Sequence, residues 1–246
     1  VNVYHITYAP SPGIFFLHFW GCNMECRACL CKKEIYDCHL EETKRAIFEE
    51  SKEVPQAPSR FLDLNEVLEI LKGRDISQVI FMGAEPTIDA ELPKLAKALH
   101  RKFHSYNILL TNGLKLISTK HIDEVVLSIK AYKESLHQDY TGVSNKSILE
   151  NFSTLYQEGK KLRAESLFIP NYIDSPEIGR IAQFIAGIDR NIAYRIDAYL
   201  PVGNNPWRRP TPIEVEQAAQ VARRHLLNVS CLRGDERLEY EVRRIV

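Results

Sequence analysis

The stretch Ile14-Phe15-Phe16-Leu17-His18-Phe19-Trp20-Gly21-Cys22-Asn23-Met24-Glu25-Cys26-Arg27-Ala28-Cys29 sets an apolar run directly before three cysteines. Ile14–Trp20 is rich in β-formers and reads as a first strand, with the cysteines on the loop at its C-terminal end. Their spacing is C-x3-C-x2-C, and no fourth cysteine completes a second C-x2-C pair. Three thiolates can hold three corners of a cubic [4Fe–4S] cluster and leave the fourth iron open, whereas electron-transfer ferredoxins close all four corners. An open coordination position is what catalytic metal sites keep. The competing readings are a zinc site, which ordinarily takes four ligands in pairs, and buried free thiols.

Working outward, short β-rich runs alternate with amphipathic helical stretches. Strands are expected at Ile14–Trp20, Gln78–Met82, Tyr106–Leu110, Glu124–Ile129, Glu165–Ile169 and Ala193–Tyr199. A helix near Asp63–Lys72 has Asp63 as cap with Glu66 three residues on, and Gly73 to end it. Asp89 opens the next, Lys146–Gln157 forms another, Ser175-Pro176 starts a fourth and Thr211-Pro212 the last. This pattern predicts an α/β fold in which six parallel strands with right-handed crossovers make a partial (β/α)6 TIM-type barrel. Chemistry in such barrels sits at the C-terminal ends of the strands, so the cysteine loop after the first strand lies where a site belongs.

The chain has 246 residues, 45% of them hydrophobic and 26% charged, with a formal net charge of zero. That balance gives no overall field toward nucleic acid or an anionic membrane. The run Ile14–Trp20 is far too short to span a bilayer. No signal peptide is visible, and six cysteines in this length make no disulfide scaffold, so a reducing, cytoplasmic setting is expected. The whole of 1–246 reads as one core domain, with 30–61 an insertion over the barrel mouth. Its charged part, Lys32–Arg60, is either a lid or a solvated surface excursion.

The cysteine run resembles the cluster motif of radical S-adenosylmethionine (radical SAM) enzymes. In that family the open iron binds the amino and carboxylate groups of S-adenosyl-L-methionine, and an electron from the cluster releases a 5′-deoxyadenosyl radical that abstracts hydrogen. Met82-Gly83-Ala84-Glu85-Pro86-Thr87 resembles the family's Gly-Gly-Glu-Pro segment, which meets the methionyl end of the cofactor; Ala84 replaces the second glycine. A glycine lets backbone approach a ligand and a carboxylate can pair with an amino group. Thr111-Asn112-Gly113 falls where the family places ligand-facing groups. Ser128-Ile129-Lys130, His137 and Thr141-Gly142-Val143-Ser144-Asn145 resemble one branch, the activating enzymes of glycyl-radical proteins typified by pyruvate formate-lyase activase. Phe168–Asp174 and the Tyr199…Gly203…Trp207 spacing match that branch too.

The resemblance implies cluster ligation by Cys22, Cys26 and Cys29, with Glu85 and the Gly83 backbone orienting the cofactor. Ala84, Pro86, Thr111, Asn112, Ser128 and Lys130 complete the expected cofactor surface, and Ala28 stands beside the adenine where an aromatic is usual. Two departures touch the activase likeness. Ser128 replaces an acid that helps hold a monovalent cation, and Leu200 follows Tyr199 where a His is usual. The implied activity is hydrogen abstraction from a protein or peptide, under anaerobic conditions, with ferredoxin or flavodoxin as reductant. Radical chemistry on a small molecule or a cofactor precursor is the alternative, and a non-catalytic iron–sulfur carrier or sensor is the second.

Other features are left without a role in that scheme. Cys31, Cys38 and Cys231 read as buried or incidental thiols, with a metal site built from them and His39 as the rival reading. Arg208-Arg209 lies beyond the sixth strand and would either bind an anion or form a solvated turn. Most of Tyr4, His5, Tyr8, Phe15, Phe16, Phe19 and Trp20 read as strand and core residues, with a substrate pocket as the rival reading, and Arg233–Arg244 reads as solvated surface.

Overall fold

The computed structural model describes residues 1–32, 40, 57–202, 204–236 and 240–246. Among them nine strands form one sheet: β1 (Val3–Ala9), β2 (Ile14–Phe19), β3 (Gln78–Gly83), β4 (Tyr106–Thr111), β5 (Glu124–Ser128), β6 (Lys161–Phe168), β7 (Ala193–Ala198), β8 (Val229–Leu232) and β9 (Arg243–Arg244). Their order is β8-β7-β6-β5-β4-β3-β2-β1-β9. Strands β2 to β8 are parallel, while β1 pairs antiparallel with β2 and with β9. The sheet keeps two edges and is a partial barrel.

The six expected strands are β2 to β7. Three more were not expected, and the first of them corrects the all-parallel reading. Strand β1 hairpins onto β2 through the turn Pro10–Gly13 and stacks Tyr8 on Phe15 with ring centroids 4.2 Å apart. Strand β8 adds a seventh parallel strand beside β7. Of the charged tail, Arg233–Glu236, Glu241, Arg243 and Arg244 are exposed, yet Arg243 and Arg244 pair with Tyr8 and Thr7.

Helices α1 (Leu64–Leu71), α2 (Leu92–Phe103), α3 (Glu134–Thr141), α4 (Lys146–Gln157), α5 (Ser175–Ile188) and α6 (Pro212–Arg223) follow the strands. Capping boxes start α1 at Asp63/Glu66 and α6 at Thr211/Glu214. Helix α5 has Asp174 as N-cap, one residue before the expected Ser175. Helix α3, not foreseen, carries the His137 motif. Side chains alternate along the strands as the pleat requires. Ala164, Phe168, Tyr194 and Ile196 join one core with α4–α6 residues such as Phe152, Ile181 and Ala218. The alternate positions, Arg163 and Glu165 on β6, Arg195 and Asp197 on β7, face the other way, into the barrel. No helix among the described residues is long and apolar enough to cross a membrane. Most of the expected insertion, with Cys38 and His39, lies outside the described residues, as does Gly203. Of its described part, Leu40 is buried, and just past its end Leu62 bridges Val3.

Candidate active site

Parallel pairing of β2 with β3 brings two loops together at the C-terminal edge. Phe19 stands opposite Gly83, and the pairing continues past both strands: Ala84 N donates to Phe19 O at 2.9 Å and Glu85 N to Gly21 O at 2.9 Å. Gly83 has φ +105°, and a Cβ there would lie 2.6 Å from Phe19 O, so no other residue fits this crossing. The cysteine loop is thereby set against the Gly83–Thr87 turn.

Glu85 is the tie of that turn. It is 1% exposed, and its Oε1 accepts from Thr87 N (3.0 Å), Thr87 Oγ1 (2.6 Å) and Thr111 Oγ1 (2.7 Å), while Oε2 accepts from Asn112 N at 2.7 Å. One carboxylate thus fixes the short 3-10 turn Pro86–Ile88 and the exit of β4. Its Oε1 is saturated, and what remains for a cationic group is the second lone pair of Oε2. Asn112 carries the tie onward, donating to Asn23 Oδ1 at 2.8 Å and to Cys22 Sγ at 3.7 Å. The thiol of Cys22 is pushed up, chiefly by burial.

The far side of the loop is held by the β5–α4 segment. Glu25 N donates to Thr141 O and Arg27 N to Tyr140 O, both at 2.9 Å. His137 is buried and donates from Nδ1 to Val143 O at 2.8 Å, which ties the Thr141–Asn145 turn to the end of the helix that presents those carbonyls. Burial lowers the His137 pKa. Arg27 is clamped as well. Its guanidinium lies 4.7 Å from the Trp207 ring centroid and 5.7 Å from that of Tyr172, and it pairs with Asp139 at 2.9 Å. Trp207 and Tyr172 stack at 4.3 Å, and Asn205 donates to Arg27 O at 3.0 Å. Ala28 is buried between these supports, flanked by the half-buried Cys26 and Cys29.

Below the loop, a row of polar side chains crosses the inner face. Ser128, Glu165 and Arg195 are register partners across β5, β6 and β7. Ser128 donates to Glu165; Arg195 bridges Glu165 Oε2 (2.8 Å) and Asp197 (2.7 and 2.8 Å). Burial works against the charge of Lys130, but the thiolates of Cys26 and Cys29 and the carboxylates of Glu165 and Asp197 outweigh it and raise its pKa. The Asp197 carboxyl is raised by burial and by Glu165, against the pull of Arg195. Glu165, Arg195 and Asp197 were not foreseen. Their signal was charge at alternate positions in strands that should be apolar on both faces.

These residues suit a cluster. Among the described residues no three His, Cys, Asp or Glu side chains gather around one point that a single metal ion could occupy. A cubic cluster asks instead that each thiolate reach its own iron, and the three free thiols share one braced loop over a glycine-lined turn. The Cys31 and Cys231 thiols do not meet: Cys31 donates to Gly83 O at 3.1 Å, and Cys231 to Glu216 at 3.3 Å. Arg208 pairs with Glu214 and Arg209 donates to Gly234 O, so both arginines engage their own chain.

The family model described as Radical SAM superfamily matches residues 16–184. The chain belongs to the radical SAM superfamily. Among curated relatives, a protein of Methanocaldococcus jannaschii named as a glycyl-radical enzyme activating enzyme is 30% identical over 220 residues, covering 86% of this chain and 78% of the relative. The pyruvate formate-lyase-activating enzyme of Streptococcus mutans is 25% identical over 220 residues, covering 83% and 79%. Streptococcus suis SuiB, solved bound to S-adenosylmethionine, superposes with a TM-score of 0.61 at 16% identity, covering 85% of this chain and 47% of that one, a likeness of fold. The radical SAM assignment makes this chain an enzyme of that superfamily with activase-like relatives.

Proposed function

We propose that this protein uses a [4Fe–4S] cluster on Cys22, Cys26 and Cys29 to cleave S-adenosyl-L-methionine reductively, and directs the resulting radical at a protein or peptide substrate. When bound, the cluster supplies the electron that breaks the sulfonium C–S bond. The protein's own groups do the rest. Glu85 holds the Gly83–Thr87 turn so that backbone and the remaining Oε2 lone pair face the methionyl end. Lys130 offers its ammonium to the carboxylate, and Thr111, Asn112, Ser128, Ala84, Pro86 and Ala28 shape the surrounding wall. Enclosure by the Arg27–Trp207–Tyr172 clamp helps keep water from a primary radical.

The observation that carries this reading is the cysteine loop braced from two sides, by Asn112 and the Gly83 turn and by the Thr141 segment. The protein substrate rests on the activase-like relatives. A low-potential reductant, ferredoxin or flavodoxin, and an anaerobic cytosol suit the same chemistry. The test uses a protein fraction from cells grown on deuterated glycine, with cofactor and dithionite. Deuterium appearing in 5′-deoxyadenosine with that fraction supports a protein substrate, and deuterium arriving only from the small-molecule fraction overturns it.

A further inference from the structure

The end of the sheet opposite the cysteine loop holds a cleft of about 610 Å³, lined by Gln78, Tyr106, Ile108, Glu124, Lys161 and Arg163 among others. Tyr106, Glu124 and Lys161 open β4, β5 and β6, and Lys161 and Arg163 alternate along β6 so that both stand on the face that meets Glu124. The Glu124 carboxylate is fully engaged. Its Oε2 accepts from Lys161 Nζ at 2.8 Å and from the Tyr106 hydroxyl at 3.0 Å, and its Oε1 meets Arg163 Nε. The two cations are not. Among the described lining residues Glu124 is the only carboxylate, so the cleft carries one positive charge in excess. The Lys161 and Arg163 side chains stay 65% and 41% exposed. Arg163 meets Glu124 through Nε alone, and its two Nη groups make no hydrogen bond among the described residues.

We propose that this cleft binds a small organic oxyanion, a carboxylate or phosphate head on a compact body, with Arg163 and Lys161 as its charged contacts. The paired Nη groups of a guanidinium match two oxygens of either head, and an ammonium beside them adds a point charge. The volume falls in the range of small-molecule sites and exceeds what a bare ion fills, which leaves room for the body against Tyr106 and Ile108. Lys161 is itself steadied, lying 5.4 Å from the Tyr106 ring centroid. Glu124 tunes the site, because a ligand competes with its carboxylate for the same two cations. The cleft lies at the N-terminal ends of the strands, away from the end where barrels keep their chemistry, so the ligand is bound there rather than turned over. The inference is independent of whether Cys22, Cys26 and Cys29 hold a cluster.

The experiment is isothermal titration calorimetry of the full chain at fixed ionic strength with phenyl phosphate, benzoate and the cation benzamidine. Wild type is compared with Arg163→Gln, Lys161→Met and Glu124→Gln, each first shown to melt cooperatively above the titration temperature. Wild type is expected to bind at least one of the two anions and not benzamidine, and the preferred anion tells a phosphate head from a carboxylate. Arg163→Gln and Lys161→Met should each weaken that binding by about tenfold or more, the scale of losing a charged hydrogen-bond partner. Lys161 is mostly exposed, so its variant keeps the test open if Arg163→Gln does not fold. Glu124→Gln keeps an amide oxygen for its neighbours and removes the competing charge, so it should bind the anion more tightly although its fold is weaker. A general loss of structure cannot give that opposite sign. Wild type that binds neither anion, binding of benzamidine as tight as that of the anions, or anion binding unchanged in Arg163→Gln and Lys161→Met overturns the inference. So does weaker binding in Glu124→Gln.

Discussion

Two rows of charge cross the inner face of the same sheet, four residues apart along β5, and they are finished differently. The lower row, toward the N-terminal ends of the strands, centres on Glu124. That carboxylate is 4% exposed and meets Lys161 at 2.8 Å, Arg163, and the Tyr106 hydroxyl at 3.0 Å. Hydrogen bonds and the two cations overcome burial and lower its pKa. A cleft of about 610 Å³ opens beside it, lined by Gln78, Tyr106 and Ile108 among others. The upper row, roughly 13 Å away at the usual strand rise, holds Ser128, Glu165, Arg195 and Asp197 under Lys130. Here burial and Glu165 raise Asp197, and Lys130 is surrounded by thiols and carboxylates without forming a close ion pair among the described residues. The lower row is a closed ion cluster that stabilises the fold. The upper row is left with capacity, and it lies at the end where barrels keep their chemistry.

Substitutions in the two rows separate these roles. Lys130→Met, in the upper row, is expected to lower 5′-deoxyadenosine formation by about 10²-fold, the scale of losing one preorganised charge at a reacting centre. Its thermal melt and iron content stay near wild type; unchanged turnover would break the contrast. Glu124→Gln, in the lower row, is expected to cost about 1–3 kcal/mol by leaving buried polar partners short of an acceptor. The melt should fall by several degrees while cofactor cleavage per folded chain holds, and a loss of cleavage without a loss of stability would contradict the division.

At the rim, Arg27→Ala removes a cation–π contact worth about 0.5–1 kcal/mol and an exposed ion pair worth about 0–1 kcal/mol. Stability should barely change, but iron should leave the reconstituted protein faster in the presence of a chelator. Iron retention equal to wild type would mean the backbone bonds to Thr141 and Tyr140 suffice. The smallest effects are expected on the outer helices. Thr211→Ala should cost about 1 kcal/mol by removing a cap of α6. Its partner Glu214 is lowered to about 2, chiefly by Arg208, below an ordinary value of 4.5. Because the folded value is depressed, that stabilisation is complete above the ordinary range and is lost as pH falls toward about 2. The melting difference between wild type and Glu214→Gln should close over that window, and a difference independent of pH would contradict it.

Much of the fold was legible because parallel strands announce themselves. Ile14–Phe19 and Glu124–Ser128 are dense apolar or β-branched runs, and Asp63/Glu66 and Thr211/Glu214 mark helix starts by local hydrogen-bond chemistry. Strand β1 escaped because His5, Thr7 and Tyr8 give Val3–Ala9 no clean apolar run, and its place comes from tertiary pairing with β2. Strand β8 has only four residues and β9 two, too short for any period to show. At the site, the cysteine spacing and Gly83 were readable locally. The role of Glu85 as a tie was not, since its partners Thr111 and Asn112 lie on another strand's exit. Cys31 read as incidental because its acceptor, the Gly83 carbonyl, comes beside it only when β3 pairs with β2.

The most direct measurement is anaerobic reconstitution with iron and sulfide, then dithionite and S-adenosyl-L-methionine, with 5′-deoxyadenosine followed by chromatography in wild type and in Cys26→Ala. The account predicts steady formation in wild type and none above background in Cys26→Ala. A reduced wild-type cluster that yields no 5′-deoxyadenosine would contradict it and leave the three cysteines an electron-transfer or sensing role.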